Sequence, residues 1–436
     1  MKTMTVLLAG IIMSGSVCAD GNLFSFEFEE VADGVWVGVR PDSPRFPVMG
    51  NTTIVISDEG VVVFDGGGAP AMKALTGEPM VAIEEAEIVS FDDERWEIEA
   101  AQSERLSHLG QDALKLQGGS ALLNDLVIKN GIVEFDIAVS GERGFAGLMF
   151  RVQDLNNYEH FYIRPHQSGN PDANQYTPVF NGISAWQLYH GPGYGAPVDY
   201  RFNEWMHVKV AFAGSRADIY IDSDTPVLRV TNLKRGDEAG LIGISAANLA
   251  PAYFANVKVS ALAGAYVLRT RLVEAEEIPD GRIRSWLVSE PFDDELLQDV
   301  SALDTELRNV RQWTTVDAEA TGITNLASVP MRAVGKNTRF ARLILDSDKR
   351  QQKQLSFGYS DSASVYVNGQ LVYAGDNTYQ SRDYRYLGTI GLFDTVVLPL
   401  VAGANEIVIA VTEAFGGWGV MAELDDLDGI SIRSTE

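Results

Sequence analysis

The chain is short of cysteine, histidine and cationic side chains, and each shortage excludes something. Of 436 residues one is cysteine, Cys18, and five are histidine. A single thiol cannot form an intramolecular disulfide, and cysteine-based zinc sites are excluded with it. The histidines, His108, His160, His166, His190 and His207, show no metal-ligand spacing. Lys and Arg number 34 against 60 Asp and Glu, a formal charge of −26. Such a surface repels nucleic acid and anionic lipid, so neither is expected as a partner. Long helical periodicity is missing, apart from Asp294–Val310, where a helical turn or two is expected. Phosphate loops, nucleophile elbows and dinucleotide fingerprints are missing too, and Gly66-Gly67-Gly68 lacks the Lys-Ser/Thr that a phosphate loop needs.

The first residues read as an export signal. Lys2 supplies a positive start, Val6–Met13 an apolar stretch, and Val17-Cys18-Ala19 a small-residue cleavage site before Asp20. The stretch falls short of the roughly 20 apolar residues that span a bilayer. The chain is therefore expected to be periplasmic or extracellular, with no membrane insertion after cleavage. A lipid anchor on Cys18 is the rival reading; Val17 stands where it would want a small residue. With Cys18 removed, the mature chain has no thiol and relies on packing alone.

Two or three domains are expected from the length. Short alternating runs broken by Gly, Asn and Asp dominate, the pattern of β-sandwiches. In residues 20–80 strands are expected at Phe24–Glu29, Gly34–Val39, Thr52–Ile56 and Gly60–Asp65. Residues 82–261 hold strand candidates at Ala113–Gln117, Gly131–Val139, Ala146–Val152, Tyr158–Arg164, Ala185–Tyr189, Glu204–Phe212, Ala217–Asp222, Ala239–Ser245 and Ala252–Val259. In residues 264–436, Asn368-Gly369 between alternating runs is a strong hairpin signal, and Val397–Thr412 reads as strand, turn and buried strand.

Three resemblances follow from these runs. Asp33–Gly38 with Asn51–Gly66 resembles the opening strands of the metallo-β-lactamase fold, but the His-x-His-x-Asp-His zinc motif of that family is missing, so the resemblance implies no hydrolase activity here. Phe91 with Trp96, GIVEFDIAVSG, FAGLMFRVQD, NEWMHVKV and ADIYID resemble the concanavalin A-like lectin/glucanase superfamily, particularly its LamG-like and keto-disaccharide-hydrolase-type modules. The C-terminal third resembles the galactose-binding-like jelly roll. The implied fold class is all-β: a concanavalin A-like jelly-roll sandwich, a second C-terminal β-sandwich and a short N-terminal β segment.

Residues two apart on a strand share a face. If the middle strands are neighbours, one face carries Glu134, Asp136, Arg151, His160, Tyr162, Arg164 and His166. The following Gly/Pro/aromatic-rich stretch, Pro165–Pro197, adds Trp186 and Tyr189. Forked donors and aromatic platforms suit the hydroxyls and apolar faces of sugars. The same alternation also describes any sandwich with one wet face. The expected partner is thus a carbohydrate or glycan, bound by Arg151, His160, Tyr162, Arg164, His166, Trp186 and Tyr189. A glycoside hydrolase is the alternative, with Glu134 and Asp136 as its carboxylates, although the further Glu of the related glucanase pattern is missing. A structural or assembly protein, or an inactive metallohydrolase remnant, is a third reading. No cofactor is expected. A structural calcium ion is a candidate at Asp92 and Asp93, since carboxylate oxygens suit it. Phe415-Gly416-Gly417-Trp418-Gly419 is expected to close a core.

Overall fold

The computed structural model describes residues 27–32, 35–39, 52–57, 60–64, 82–83, 86–263, 268, 278–303, 307, 312–330, 335–382 and 387–433. The export-signal residues and Gly66–Gly68 lie outside them. The chain divides into two compact units, Met1–Val81 and Ala82–Glu436. The fold class is all-β, as the alternating runs require.

In the first unit, β1 (Glu27–Ala32), β2 (Val35–Val39), β3 (Thr52–Ser57) and β4 (Gly60–Phe64) form an antiparallel sheet in sequence order. The hairpin β3–β4 closes with Ser57 opposite Gly60; of the expected first strand, residues 24–26 lie outside the described residues and Glu27–Glu29 fall in β1.

The second unit opens with the middle sandwich. Its strands are β5 (Ala82–Ile83), β6 (Glu87–Val89), β7 (Trp96–His108), β8 (Gln111–Ile128), β9 (Gly131–Val139), β10 (Ala146–Asp154), β11 (Asn157–Ile163), β12 (Asn174–Phe180), β13 (Ile183–Ser184), β14 (Met206–Ala213), β15 (Arg216–Ile221), β16 (Leu228–Val230), β17 (Gly240–Ala246) and β18 (Ala252–Ala263). They run in the order β13-β12-β11-β10-β17-β8-β18-β9-β14-β15-β16. The long β8 joins the two halves. Gly119–Ile128 pairs with β17, whereas Ala113–Leu116 pairs with β18. Gly118, at φ +70°, sits at the change of partner, a conformation glycine adopts without strain. One core lies between the halves, with Leu148, Phe150, Phe161 and Tyr176 from one and Phe135, Ile137, Val208, Val210 and Phe254 from the other.

The same unit ends in a second sandwich built from β19 (Ser285–Ser289), β20 (Trp313–Asp317), β21 (Thr324–Asn325), β22 (Thr338–Ser347), β23 (Gln351–Ser360), β24 (Ser362–Val367), β25 (Gln370–Asp376), β26 (Asp394–Leu400), β27 (Gly403–Thr412), β28 (Gly419–Leu424) and β29 (Ile430–Ile432). One sheet runs β20-β19-β22-β27-β24-β25 with β29 on β22, the other β21-β28-β23-β26. Trp286, Phe357, Tyr359, Ile409 and Trp418 fill the core. Asn368 and Gly369 have φ of +51° and +82°, the two positive values a two-residue hairpin turn of this type needs. Within Asp294–Val310 the described helical residues are the 3-10 turn Asp294–Leu297 and Leu307.

Ala185–Tyr189 is not a strand. It is a turn, with the Leu188 and Tyr189 amides donating to the Ala185 carbonyl. Its side chains dock on the C-terminal sandwich. The fully buried Gln187 amide donates to the Leu387 carbonyl at 2.7 Å, and its carbonyl oxygen accepts from Ser360 Oγ at 3.1 Å. Backbone bonds from Gln187 N to Gly416 O and from Ile390 N to Gln187 O complete the seam. Ile183 joins the C-terminal core, and Leu188 packs with Ile323, Ile390 and Met421.

Glycines admit this approach. A Cβ on Gly416, at φ +93°, would stand 2.6 Å from Gln187 Oε1 and 2.7 Å from Trp186 Nε1. Gly403 has a similar φ of +92° but open space around it. Gly416→Ala is therefore expected to cost on the order of 2–4 kcal/mol, strain plus clash, and Gly403→Ala about 1 kcal/mol. Urea denaturation of the two variants measures the difference, and equal losses would show that the seam tolerates displacement.

Candidate functional site

The expected polar face divides between the two halves of the middle sandwich, because β9 and β10 are not neighbours. Glu134 and Asp136 lie on the half made by β18, β9 and β14. His160, Tyr162 and Arg164 belong to the other half.

On the first of these faces the register sets Asp136 opposite His207 and Glu134 opposite Lys209 and Lys258. His207 Nδ1 stands 2.9 Å from Asp136 Oδ1, and its Nε2 3.6 Å from Glu134 Oε1. Lys258 Nζ is 3.1 Å from Glu134 Oε2, and Asn256 Nδ2 donates to Asp136 Oδ2 at 2.7 Å. Hydrogen bonding to His207, with help from Lys258, holds the Glu134 carboxyl down at about 2. Burial pushes Asp136 up, but His207 and Asn256 outweigh it and the net direction is down. A glycosidase needs one of its two carboxyls protonated at working pH, hence raised. Both are lowered here, the opposite of the direction a general acid requires.

The other face is a run of rings and guanidinium planes. His160 and Tyr162 lie on β11. Arg164 follows it, and His166 lies in the 3-10 turn Pro165–Gln167. Tyr158 contacts His160 at 5.5 Å between centroids, and His160 contacts Tyr162 at 4.9 Å. Phe145 meets Tyr162 edge-on at 5.7 Å and His166 at 5.3 Å. The Arg164 guanidinium lies 5.5 Å from the Tyr162 ring and 5.7 Å from the Trp186 ring. Its edge donates to Asp172 O at 3.1 Å and Gln175 Oε1 at 3.2 Å, so its planar faces are left to the rings. Trp186 then meets two side chains of the C-terminal sandwich, Tyr379 at 6.4 Å and Phe415 at 5.9 Å. Phe415 is 57% exposed. His160 Nε2 is 2.9 Å from Ser245 Oγ, and burial pushes its imidazole down to about 3, so the ring is neutral at neutral pH.

Arg151 does not join this face. The ladder slips at Phe150–Asp154, and Arg151 sits in the slip at φ +49°. Such a bulge turns a side chain to the other side of the sheet. The buried guanidinium donates to the carbonyls of Lys129, Gly214 and Gly236 at 2.9, 2.7 and 2.6 Å. It fastens three loops. Tyr189 is 1% exposed and donates to Glu319 of the C-terminal sandwich, which also pairs with Lys234. Its hydroxyl serves the seam. Asp93 is taken by Arg95 at 2.7 Å, which holds its carboxyl at about 2, and Asp92 is exposed in the same turn. Among the described residues no three His, Cys, Asp or Glu side chains are grouped to hold a metal ion.

Tyr379, Glu319, Gln187 and Phe145 also take part, and no local sequence pattern singles them out. Phe415 belongs to the stretch expected to close a core, but of its side chains Trp418 alone goes there, its Nε1 donating to Val411 O at 2.9 Å. Nor does any local pattern single out the buried Glu159. It accepts from Tyr176 Oη at 2.8 Å and from the Arg235 amide at 2.9 Å, and burial raises its carboxyl.

No family model matches the chain, and no curated protein matches it. Solved structures do. The carbohydrate binding module CBM66 from Bacillus subtilis is 20% identical over 38% of this chain and 96% of its own, with a TM-score of 0.31. A protein of unknown function with a galectin-like fold, also from Bacillus subtilis, is 11% identical over 42% of this chain and 96% of its own, at 0.33. The Bacillus licheniformis beta-glucanase is 11% identical over 40% of this chain and 97% of its own, at 0.30. Among the described residues no helix is long and apolar enough to cross a membrane.

His207 supplies a direct check on the charged face. Its bonds to Asp136 and then Glu134 raise it from 6.5 to about 9. A raised cation contributes stability that is complete below pH 6.5 and lost as pH rises through about 9; the lowered Glu134 contributes above pH 4.5 and loses it as pH falls through about 2. NMR titration of the His207 imidazole is expected to give a midpoint well above 6.5, moving down in Asp136→Asn. A midpoint at 6.5 would mean that the pairing does not persist in solution.

Proposed function

We propose that the chain is an exported carbohydrate-binding protein, and that it takes glycan on the face where Tyr162, Arg164 and Trp186 meet Tyr379 and Phe415. The observation that carries this is the ladder of planar groups ending in an exposed ring. Arg164 is fixed by its edge and flanked by two rings, and Phe415 projects beyond it. Aromatic faces bind the C–H side of a sugar ring, while hydroxyl, imidazole and amide groups receive its hydroxyls. His160 with Ser245, and the Tyr162 hydroxyl, supply such groups beside the ladder. Rigid aromatics lose little entropy on binding, and the seam fixes them before ligand arrives.

Binding without turnover is the favoured form, because both carboxyls of the pair on the other half are held low rather than raised. Export rests on Lys2, Val6–Met13 and the small residues before Asp20.

The test is calorimetric titration with a panel of neutral and acidic oligosaccharides, alongside a reducing-end assay for cleavage. At least one glycan is expected to bind, with Trp186→Ala weakening it by ten-fold or more, about 1.4 kcal/mol. Arg164→Lys is expected to weaken it too, since an ammonium neither forks nor stacks. Release of sugar that disappears in Glu134→Gln would replace the binding reading with a hydrolase.

A further inference from the structure

Three rings meet at the junction, Trp186, Tyr379 and Phe415, with centroids 6.4, 5.9 and 6.0 Å apart. They stand on three separate segments of chain. Each segment is tied, beside its ring, to one short stretch, Tyr359-Ser360-Asp361, where β23 passes into β24. Ser360 Oγ donates to the side chain of Gln187, the neighbour of Trp186, at 3.1 Å. Asn377 stands just before Tyr379. Its backbone amide donates to the Asp361 carbonyl at 2.7 Å, and its side chain to the Tyr359 carbonyl at 3.1 Å. Asp361 Oδ2 accepts from the backbone amides of Ala414 and Phe415, both at 2.6 Å.

The last of these ties uses a charged group. Asp361 is fully buried. Burial raises its carboxyl from 3.8 to about 6, and the charge of Asp376 adds to this, although the Phe415 and Ala414 amides pull the other way. A carboxyl raised in the folded state contributes stability that is complete below pH 3.8 and lost as pH rises through about 6. At neutral pH the carboxylate therefore does not serve the stability of the fold. What it secures is a segment of backbone, through two charge-assisted bonds. That segment carries an exposed ring and runs on into Gly416, at φ +93°, where the backbone has wide freedom.

We infer that Asp361 is the positioning residue of the glycan face: without touching ligand, its carboxylate fixes the Ala414–Phe415 backbone and holds the Phe415 ring in its triangle with Trp186 and Tyr379. This rests on the glycan-binding reading above. A ring that swings freely must be ordered when a sugar stacks on it, at a cost in affinity; a ring already held avoids that cost. The same bonds keep the following residue on Trp186, since a Cβ on Gly416 would stand 2.7 Å from Trp186 Nε1.

The experiment uses the full chain and the oligosaccharide panel above. Calorimetry is run on the native protein, Asp361→Ala, Asp361→Asn, Phe415→Ala and the double variant Asp361→Ala/Phe415→Ala, with circular dichroism to check folding. Asp361→Ser, too short to reach both amides, is a second truncation read in the same way as Asp361→Ala. Phe415→Ala and Asp361→Ala are each expected to weaken binding about ten-fold. The double variant is expected to bind no more weakly than Phe415→Ala alone, because a residue that acts through the ring has nothing left to act on. Asp361→Asn keeps an oxygen for the two amides and is expected to restore most of the affinity. Without glycan, the emission of Trp186, taken as the difference from Trp186→Phe, is expected to shift to the red in Asp361→Ala and not in Asp361→Asn. Additive losses in the double variant, or unshifted Trp186 emission in both truncations, would overturn the positioning role and leave the glycan reading standing. If no member of the panel binds the native chain, both are overturned.

Discussion

The junction where Trp186 meets Tyr379 and Phe415 depends on Gln187. A buried side-chain amide is tolerated only when its hydrogen bonds are made, and here the C-terminal sandwich makes them: Leu387 and Ser360 at the side chain, Gly416 and Ile390 at the backbone. The bonds tie residue 187 to the second sandwich, so residue 186 is tied with it. Trp186 thereby comes beside Tyr379 and Phe415, which no element of the middle sandwich could place. The apolar packing of Leu188 and Ile183 against Ile323 and the C-terminal core adds the non-directional part of the same seam. Glu319, shared by Tyr189 and Lys234, adds a charged clasp at its edge. The two sandwiches work as one body at this point, which is why a face assembled from both can be rigid.

A second constraint sits at Arg151. The bulge there breaks strict alternation along β10 and sends a guanidinium inward, where water cannot reach it. Buried charge is costly unless its donors are met, and three carbonyls from separate loops meet them. Glu159, also buried, stands near enough for the opposite charges to act on each other.

These two features mark the limit of what the sequence tells. The all-β class was legible because Val, Ile, Phe and Tyr alternate with polar residues over most strands, and the Asn368-Gly369 turn because few other dipeptides accept two positive φ angles. The grouping of His160, Tyr162 and Arg164 was legible for the same reason: period two holds along β11. It failed at Arg151, because one inserted residue reverses every face beyond it and nothing local announces the insertion. The placing of Glu134 and Asp136 failed differently. Strand order is set by long-range pairing, and β8 parts β9 from β10 by serving both halves of the sandwich. Ala185–Tyr189 has the composition of a strand, yet tertiary contacts with the second sandwich hold it as a turn, and no window of its own sequence contains those partners.

The two outer faces of the middle sandwich can be weighed by what each leaves unspent. On the β9–β14 face, Glu134, Asp136, His207, Lys258 and Asn256 satisfy one another. Its aromatic members also pair among themselves, with His108 stacked on Tyr253 at 3.7 Å and edged by Trp205 at 5.8 Å. A ligand there would have to break existing bonds to make its own. On the junction face the bonds fix positions without using up capacity. Arg164 is held by its edge while its faces meet rings, and Phe415 keeps more than half of its surface in water. Affinity comes from the surplus of new contacts over those given up, so the surface whose groups are held but not exhausted is the better candidate for the proposed glycan site.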